Sequence, residues 1–217
     1  MRIDTFRGAI RLLGLVLPMT LLASAAQGQA FGLAVNTKTV NQKSVYVVLP
    51  AGEAMASDQG QSVSVPGVAT AQDLFSIVTG DADATDGSTA VSSATLGVVS
   101  LLNGLITADG VVAMASSSIG DAGANSNAAG SSLGNLVVGG AAIADPAPNT
   151  RMSLPGVGYV LLNEQLPTGD GVTTTGMTVN MIHVVLQQPV LGLLGQVTGY
   201  RTVGEIVVGS ATSSVTR

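Results

Sequence analysis

Polar and apolar residues do not follow a helical period anywhere in this chain. Instead, short runs rich in β-branched and aliphatic residues recur at 44–49, 75–79, 111–115, 135–138, 159–162, 178–186 and 205–208, each bounded by Gly, Pro, Asn or Asp. Turn-bounded apolar runs at this spacing predict an all-β fold of short strands. The expected architecture is a single-domain antiparallel β-sandwich, jelly-roll-like in its variant form, with a β-solenoid as the alternative. No fixed-period repeat supports the solenoid.

The run Val179-Asn-Met-Ile-His-Val-Val-Leu186 is apolar at both alternating sets of positions. Val179, Met181, His183 and Val185 fall on one face and Ile182, Val184 and Leu186 on the other, so this strand is expected to be covered on both sides. Residues 92–105 and 187–199 are leucine-rich but broken by glycine, and suit either strand or short helix. The polar tracts 80–89 and 116–132 read as surface loops.

One segment stands apart. Arg2, Arg7 and Arg11 precede an apolar stretch over residues 12–26 that ends in small residues. A charged start, an apolar centre and a small-residue end are the parts of a secretory signal peptide. The stretch is shorter than the roughly 20 residues that cross a bilayer, and Pro18 interrupts it. Cleavage can follow Ala25, Ala26 or Ala30, and Ala30 is the favoured site. The expected organisation is therefore a signal peptide over 1–30 and one β-rich domain over 31–217, working outside the cytoplasm at the cell surface, in the periplasm or in the medium. No transmembrane span is expected after cleavage.

Charge changes the picture mainly by exclusion. Loss of residues 1–30 removes three of eight basic residues and one of thirteen acidic ones, taking the net charge from −5 to −7. The remaining Lys38, Lys43, Arg151, Arg201 and Arg217 are scattered, which excludes a phosphate-tracking surface and hence nucleic acid as a partner. The chain has no cysteine, so neither disulfides nor thiolate metal sites are available and stability must come from packing.

Several segments together resemble the choice-of-anchor P domain of exported bacterial proteins. They are Ala30-Phe31-Gly32-Leu33, Leu105-Ile-Thr-Ala-Asp-Gly-Val111, Leu154-Pro-Gly-Val-Gly158 continuing to Leu162-Asn-Glu-Gln165, Val179-Asn-Met-Ile-His-Val184 and Val207-Val-Gly-Ser-Ala211. In order and spacing they cover nearly all of 31–217. The resemblance implies a surface or secreted domain of no agreed activity, followed in its relatives by varied anchoring tails. Residues 210–217 carry no hydrophobic span or sorting motif, so attachment is expected to use something other than this segment.

Candidate chemistry is sparse. Gly130-Ser-Ser132-Leu-Gly134 fits the G-x-S-x-G pattern of a hydrolase elbow, with Asp145, Asp170 and His183 following in triad order, but the strand before and helix after that such an elbow needs are missing. His183 is the only histidine, and its Val and Met neighbours place it beside a core. Asp81, Asp83 and Asp86, with Gly87, crowd hard oxygen ligands onto one segment and are the candidate calcium ligands, although the EF-hand spacing is not met. Asp109 before Gly110 suits a turn. Glycosidase chemistry needs facing carboxylates, for which Glu53, Glu164 and Glu205 are the glutamates, and the absence of tryptophan argues against a sugar platform. The expectation is an exported, non-enzymatic structural or interaction protein with no cofactor, its partner another protein or a second copy. The alternative is a calcium-dependent binding module at Asp81–Asp86.

Overall fold

In a computed structural model that describes residues 25–83 and 87–217, every regular element among the described residues is a β-strand, and the strands form two antiparallel sheets packed face to face. One sheet has six strands. These are β1 (Ala25–Thr37), β2 (Asn41–Val48), β10 (Thr150–Leu154), β11 (Gly158–Gly169), β12 (Thr174–Leu191) and β13 (Val197–Thr216), in the order β10-β11-β12-β13-β1-β2. The other sheet has seven. They are β3 (Met55–Val65), β4 (Ala69–Asp83), β5 (Gly87–Leu101), β6 (Ile106–Gly120), β7 (Gly123–Asn127), β8 (Ser132–Val138) and β9 (Ala141–Ile143), in the order β3-β4-β5-β6-β8-β9 with β7 beside β6. This is the expected sandwich. Its strands follow one another as hairpins within each sheet, and the chain crosses between sheets only after β2 and after β9.

All seven apolar runs lie in strands, and residues 92–101 complete β5. Both expected loops are corrected. Residues 80–83 and 87–89 belong to the paired ends of β4 and β5, and 116–127 to β6 and β7. These polar segments form strands because their backbones pair and their alternate small residues, such as Ser88 and Ser117, turn inward.

β1 also departs from expectation. It starts at Ala25, inside the segment read as leader, and Ala25 to Ala30 pair residue by residue with Thr216 to Ala211 of β13. The favoured cleavage site after Ala30 therefore falls in the middle of a central strand.

The core is aliphatic and tight. Leu33, Leu74, Leu101, Ile106, Leu136, Leu162, Met181, Ile182 and Ile206 are its largest fully buried side chains. Near the first half of β1 the sheets approach too closely for large groups, and serines fill the gap. Ser92 Oγ donates to Thr212 O across the sandwich at 2.6 Å, and Ser117 Oγ bonds Ser213 Oγ at 2.7 Å. Ser76 Oγ, wholly buried on β4, has no protein partner. An unpaired buried hydroxyl costs stability, so Ser76→Ala is expected to raise stability by about 1 kcal/mol, read as a shift in urea midpoint at unchanged slope.

A row of left-handed residues crosses the six-stranded sheet and sets its outer face. Asn163 on β11 (φ 50°), Gly209 on β13 (φ 61°) and Val45 on β2 (φ 51°) occupy every second strand of the sheet. Such a residue reverses the in-and-out alternation of its strand. Gly209 needs to be glycine for a second reason, because a Cβ there would sit 2.9 Å from Val111 of the opposite sheet. On β12, which has no left-handed residue of its own and runs between the strands of Asn163 and Gly209, Met181 and Ile182 are consecutive core residues and His183 lies outside the core. The expected division of this strand is thus corrected: Val179, Met181, Ile182 and Val184 share the core, whereas His183 and Val185 lie on the other side.

Candidate functional site

The reversal brings four polar side chains from three strands together on the outer face of the six-stranded sheet. Glu164, Asn180 and Ser210 are direct cross-strand neighbours on β11, β12 and β13, and His183 stands one step along β12. Ser210 Oγ donates to Asn180 Oδ1 at 2.7 Å, and Asn180 Nδ2 donates to Glu164 Oε2 at 2.7 Å. The same carboxylate oxygen accepts from His183 Nδ1 at 3.0 Å. His183 Nε2 is buried without a hydrogen-bond partner, and Glu205 Oε2 lies 3.9 Å away.

Ser210 reaches Glu164 through Asn180, and both Asn180 and His183 donate to Glu164. Its carboxyl is held below its ordinary value of 4.5, chiefly by the His183 hydrogen bond, against the opposing effect of burial and with help from Asn180. His183 is raised above 6.5, chiefly by its bond to Glu164, again against burial, with Glu205 adding a smaller attraction. Both shifts favour the imidazolium-carboxylate form of the pair. Nucleophilic catalysis would need a hydroxyl that donates to the imidazole, yet Ser210 donates to Asn180. The cluster is built to hold one proton. Sequence reading singled out His183 but did not join Glu164 to it, because the reversal at Asn163 that aligns them is invisible in the residue pattern.

The remaining candidates are dispersed. Ser132 begins β8 in the seven-stranded sheet, so it and His183 belong to different sheets. Asp145 lies in the connection between β9 and β10. Asp170 accepts from the backbones of Val172, Thr173 and Thr174 and from the Thr173 hydroxyl, which holds its carboxyl well below the usual range as the anchor of the β11-β12 turn. Asp109 is in β6 at an irregularity in its pairing with β8 rather than in a turn, and accepts from Asn135 Nδ2 at 3.3 Å.

Of the candidate calcium ligands, Asp81 is an exposed strand residue opposite Thr89, Asp83 ends β4 opposite Gly87, and Asp86 lies outside the described residues. Among the described residues no three His, Cys, Asp or Glu side chains group as a metal site. No described helix is long and apolar enough to cross a membrane.

A surface feature of another kind lies at the β12-β13 turn. β11 leaves β12 at Leu186, and β1 leaves β13 at Gly204. Beyond these points β12 and β13 continue as a two-stranded arm, paired from Gln187↔Thr202 to Leu191↔Val197; Gln187 N still donates to Val157 O of the β10-β11 turn at 2.7 Å, and past Gln187 no further strand pairs with the arm among the described residues. Its tip is held by Gly192 N to Gln196 O at 2.8 Å and Gly195 N to Gly192 O at 3.0 Å. Leu193 and Leu194 are 105% and 92% exposed there, and Val190, Leu191, Val197 and Tyr200 are also exposed. From Pro189 to Tyr200 the arm carries no charge. The glycines that left this segment ambiguous in the sequence shape its turn and its bare strand.

No protein-family model matches this chain, and no curated protein or solved structure matches it.

Proposed function

We propose that this chain is an exported, non-enzymatic β-sandwich that acts as a structural or interaction element of the bacterial cell exterior, a domain of the choice-of-anchor P kind. The observation that carries the reading is the arm. Two leucines held almost fully in water at the end of an ordered hairpin contribute nothing to the sandwich, and exposed apolar surface on this scale marks a contact site. The polar cluster agrees with it, since its hydroxyl points away from its imidazole. The amino-terminal segment supplies export, and the arm supplies the contact made after export.

Shortening the arm tests this. Replacing residues 190–199 by an Asn-Gly turn keeps the pairing from Gln187 back to Thr175 and is expected to leave the melting temperature nearly unchanged. Cell fractionation is expected to find the full chain held at the cell exterior and the shortened chain mostly released. Equal distribution of the two would overturn the arm as the contact.

A further inference from the structure

We infer that the occupant of the arm is the arm of a second copy of this chain, the two lying antiparallel about a two-fold axis with each tip seated at the root of the other. The inference rests on the reading of the protein as an exterior interaction element and names its partner.

Two needs of the arm define what can cover it. Its large exposed side chains are apolar, and past Gln187 its outer backbone edges pair with no further strand among the described residues. Hydrocarbon satisfies the first need and not the second, because unpaired backbone groups are not tolerated in a bilayer interior. A polypeptide edge satisfies both, by β-augmentation. Net charge then narrows the choice. Copies of an exported chain carrying a net −7 repel one another, so self-association is confined to surface without charge, and the twelve residues from Pro189 to Tyr200 supply such a surface.

The complementary surface is at the root of the same arm. A cleft of about 760 Å³ lies between the β10-β11 turn and the free edge of β12, walled by Leu154, Pro155, Gly156, Val157, Tyr159 and Pro189. Its one charged wall residue, Arg151, stacks on the Tyr159 ring at 4.0 Å. The arm itself walls one side of this cleft through Gln187, Pro189, Val197 and Tyr200, while Leu193 and Leu194 of its tip are not among the lining residues. With roughly 3.3 Å per residue, the six residues from Gln187 to Gly192 span roughly 20 Å. Antiparallel arms of that length place each tip at the partner's root, so the same patch serves both copies, as a two-fold interface requires. Six large apolar side chains per copy, at roughly 100–200 Å² each, give an area near the roughly 800 Å² per partner of a stable interface.

Sedimentation velocity of the full exported chain, from micromolar to submillimolar concentration, reads the inference. The wild type is expected to sediment as a dimer, and the double variant Leu193→Asp, Leu194→Asp as a monomer over the same range, with self-affinity at least tenfold weaker and an unchanged melt. The absence of cysteine permits a second reading of the geometry: copies with Leu194→Cys mixed with copies with Pro155→Cys are expected to form disulfide-linked dimers on mild oxidation. A wild-type monomer at the highest concentration overturns the inference while leaving arm-dependent retention intact. So does a wild-type dimer that the double aspartate variant leaves unweakened, or a monomer whose leucines direct it onto phosphatidylcholine vesicles. Loss of arm-dependent retention with dimerisation preserved instead defeats the broader reading alone.

Discussion

A chain that begins at Phe31 is expected to be unfolded under conditions in which one that begins at Ala26 is folded. Residues 26–30 form the first half of a strand with neighbours on both sides: Ala26 to Ala30 pair with Val215 to Ala211, and Gln29 and Ala30 pair with Val48 and Val47. Leu49 also donates to Gly28 O at 2.9 Å. Without them the last third of β13 loses its ladder to β1. Ala30, wholly buried in the core, disappears, as does Ala26, which packs against Val215, Ala90 and Ile119. Gly28 occupies a close approach of the sheets, where a Cβ would stand 2.9 Å from Ser92 Oγ, and its removal uncovers the serine layer. About five backbone hydrogen bonds at about 1 kcal/mol each, before any burial, already reach the total stability of a small domain, about 5–15 kcal/mol. Urea unfolding of the two chains measures the difference, expected to be at least about 5 kcal/mol. Sequencing the amino terminus of the exported protein gives the companion result. Small residues at Ala23 and Ala25 suit cleavage after Ala25, so Ala26 is the expected first residue. An exported protein that starts at Phe31 with full stability would remove the first half of β1 from the fold.

The same strand shows why part of the fold was legible in the sequence and part was not. The two-sheet architecture could be read because strands such as 159–162 and 205–208 advertise themselves by β-branched runs between turn residues. β1 could not, since its first residues, Ala-Ala-Gln-Gly-Gln-Ala, have the small-residue composition of a leader's end and are strand only because β13 and β2 pair with them. β3 was missed for the opposite reason. As an edge strand over Met55–Val65 it exposes most of its residues, and only Val65 is buried, so no apolar alternation survives to mark it. The site was half legible. A single histidine draws attention by rarity, and its flanking Val and Met correctly place it beside the core. Its partner Glu164 is nineteen residues away on another strand, directly after the left-handed Asn163 that reverses the alternation of β11. Left-handed asparagine inside a strand leaves no periodic trace.

That pair governs the second large effect, a stability maximum in mildly acid solution that Glu164→Gln removes. Glu164 is held below 4.5 in the folded state, so its contribution is present above the unfolded value near 4.5 and is lost as pH falls through the folded value. His183 is raised above 6.5, so its contribution is complete below about 6.5 and is lost as pH rises through the folded value. Both are in place together between about 4.5 and 6.5, and stability declines on either side. Glu164→Gln leaves the imidazolium without its carboxylate in a half-buried position, at a cost of about 2 kcal/mol at pH 5.5, and the loss shrinks as pH rises through the folded value of His183. His183→Gln separates the two contributions: Glu164 keeps its bond from Asn180, while the decline above neutrality disappears. Because the chain has one histidine, a single imidazole Cε1–H resonance reports its titration directly. Its midpoint is expected above 6.5 in the wild type and to move down in Glu164→Gln, where burial acts on it unopposed by that carboxylate. A wild-type midpoint at or below 6.5 would mean that the carboxylate does not hold the proton, and the stability maximum would then vanish with it.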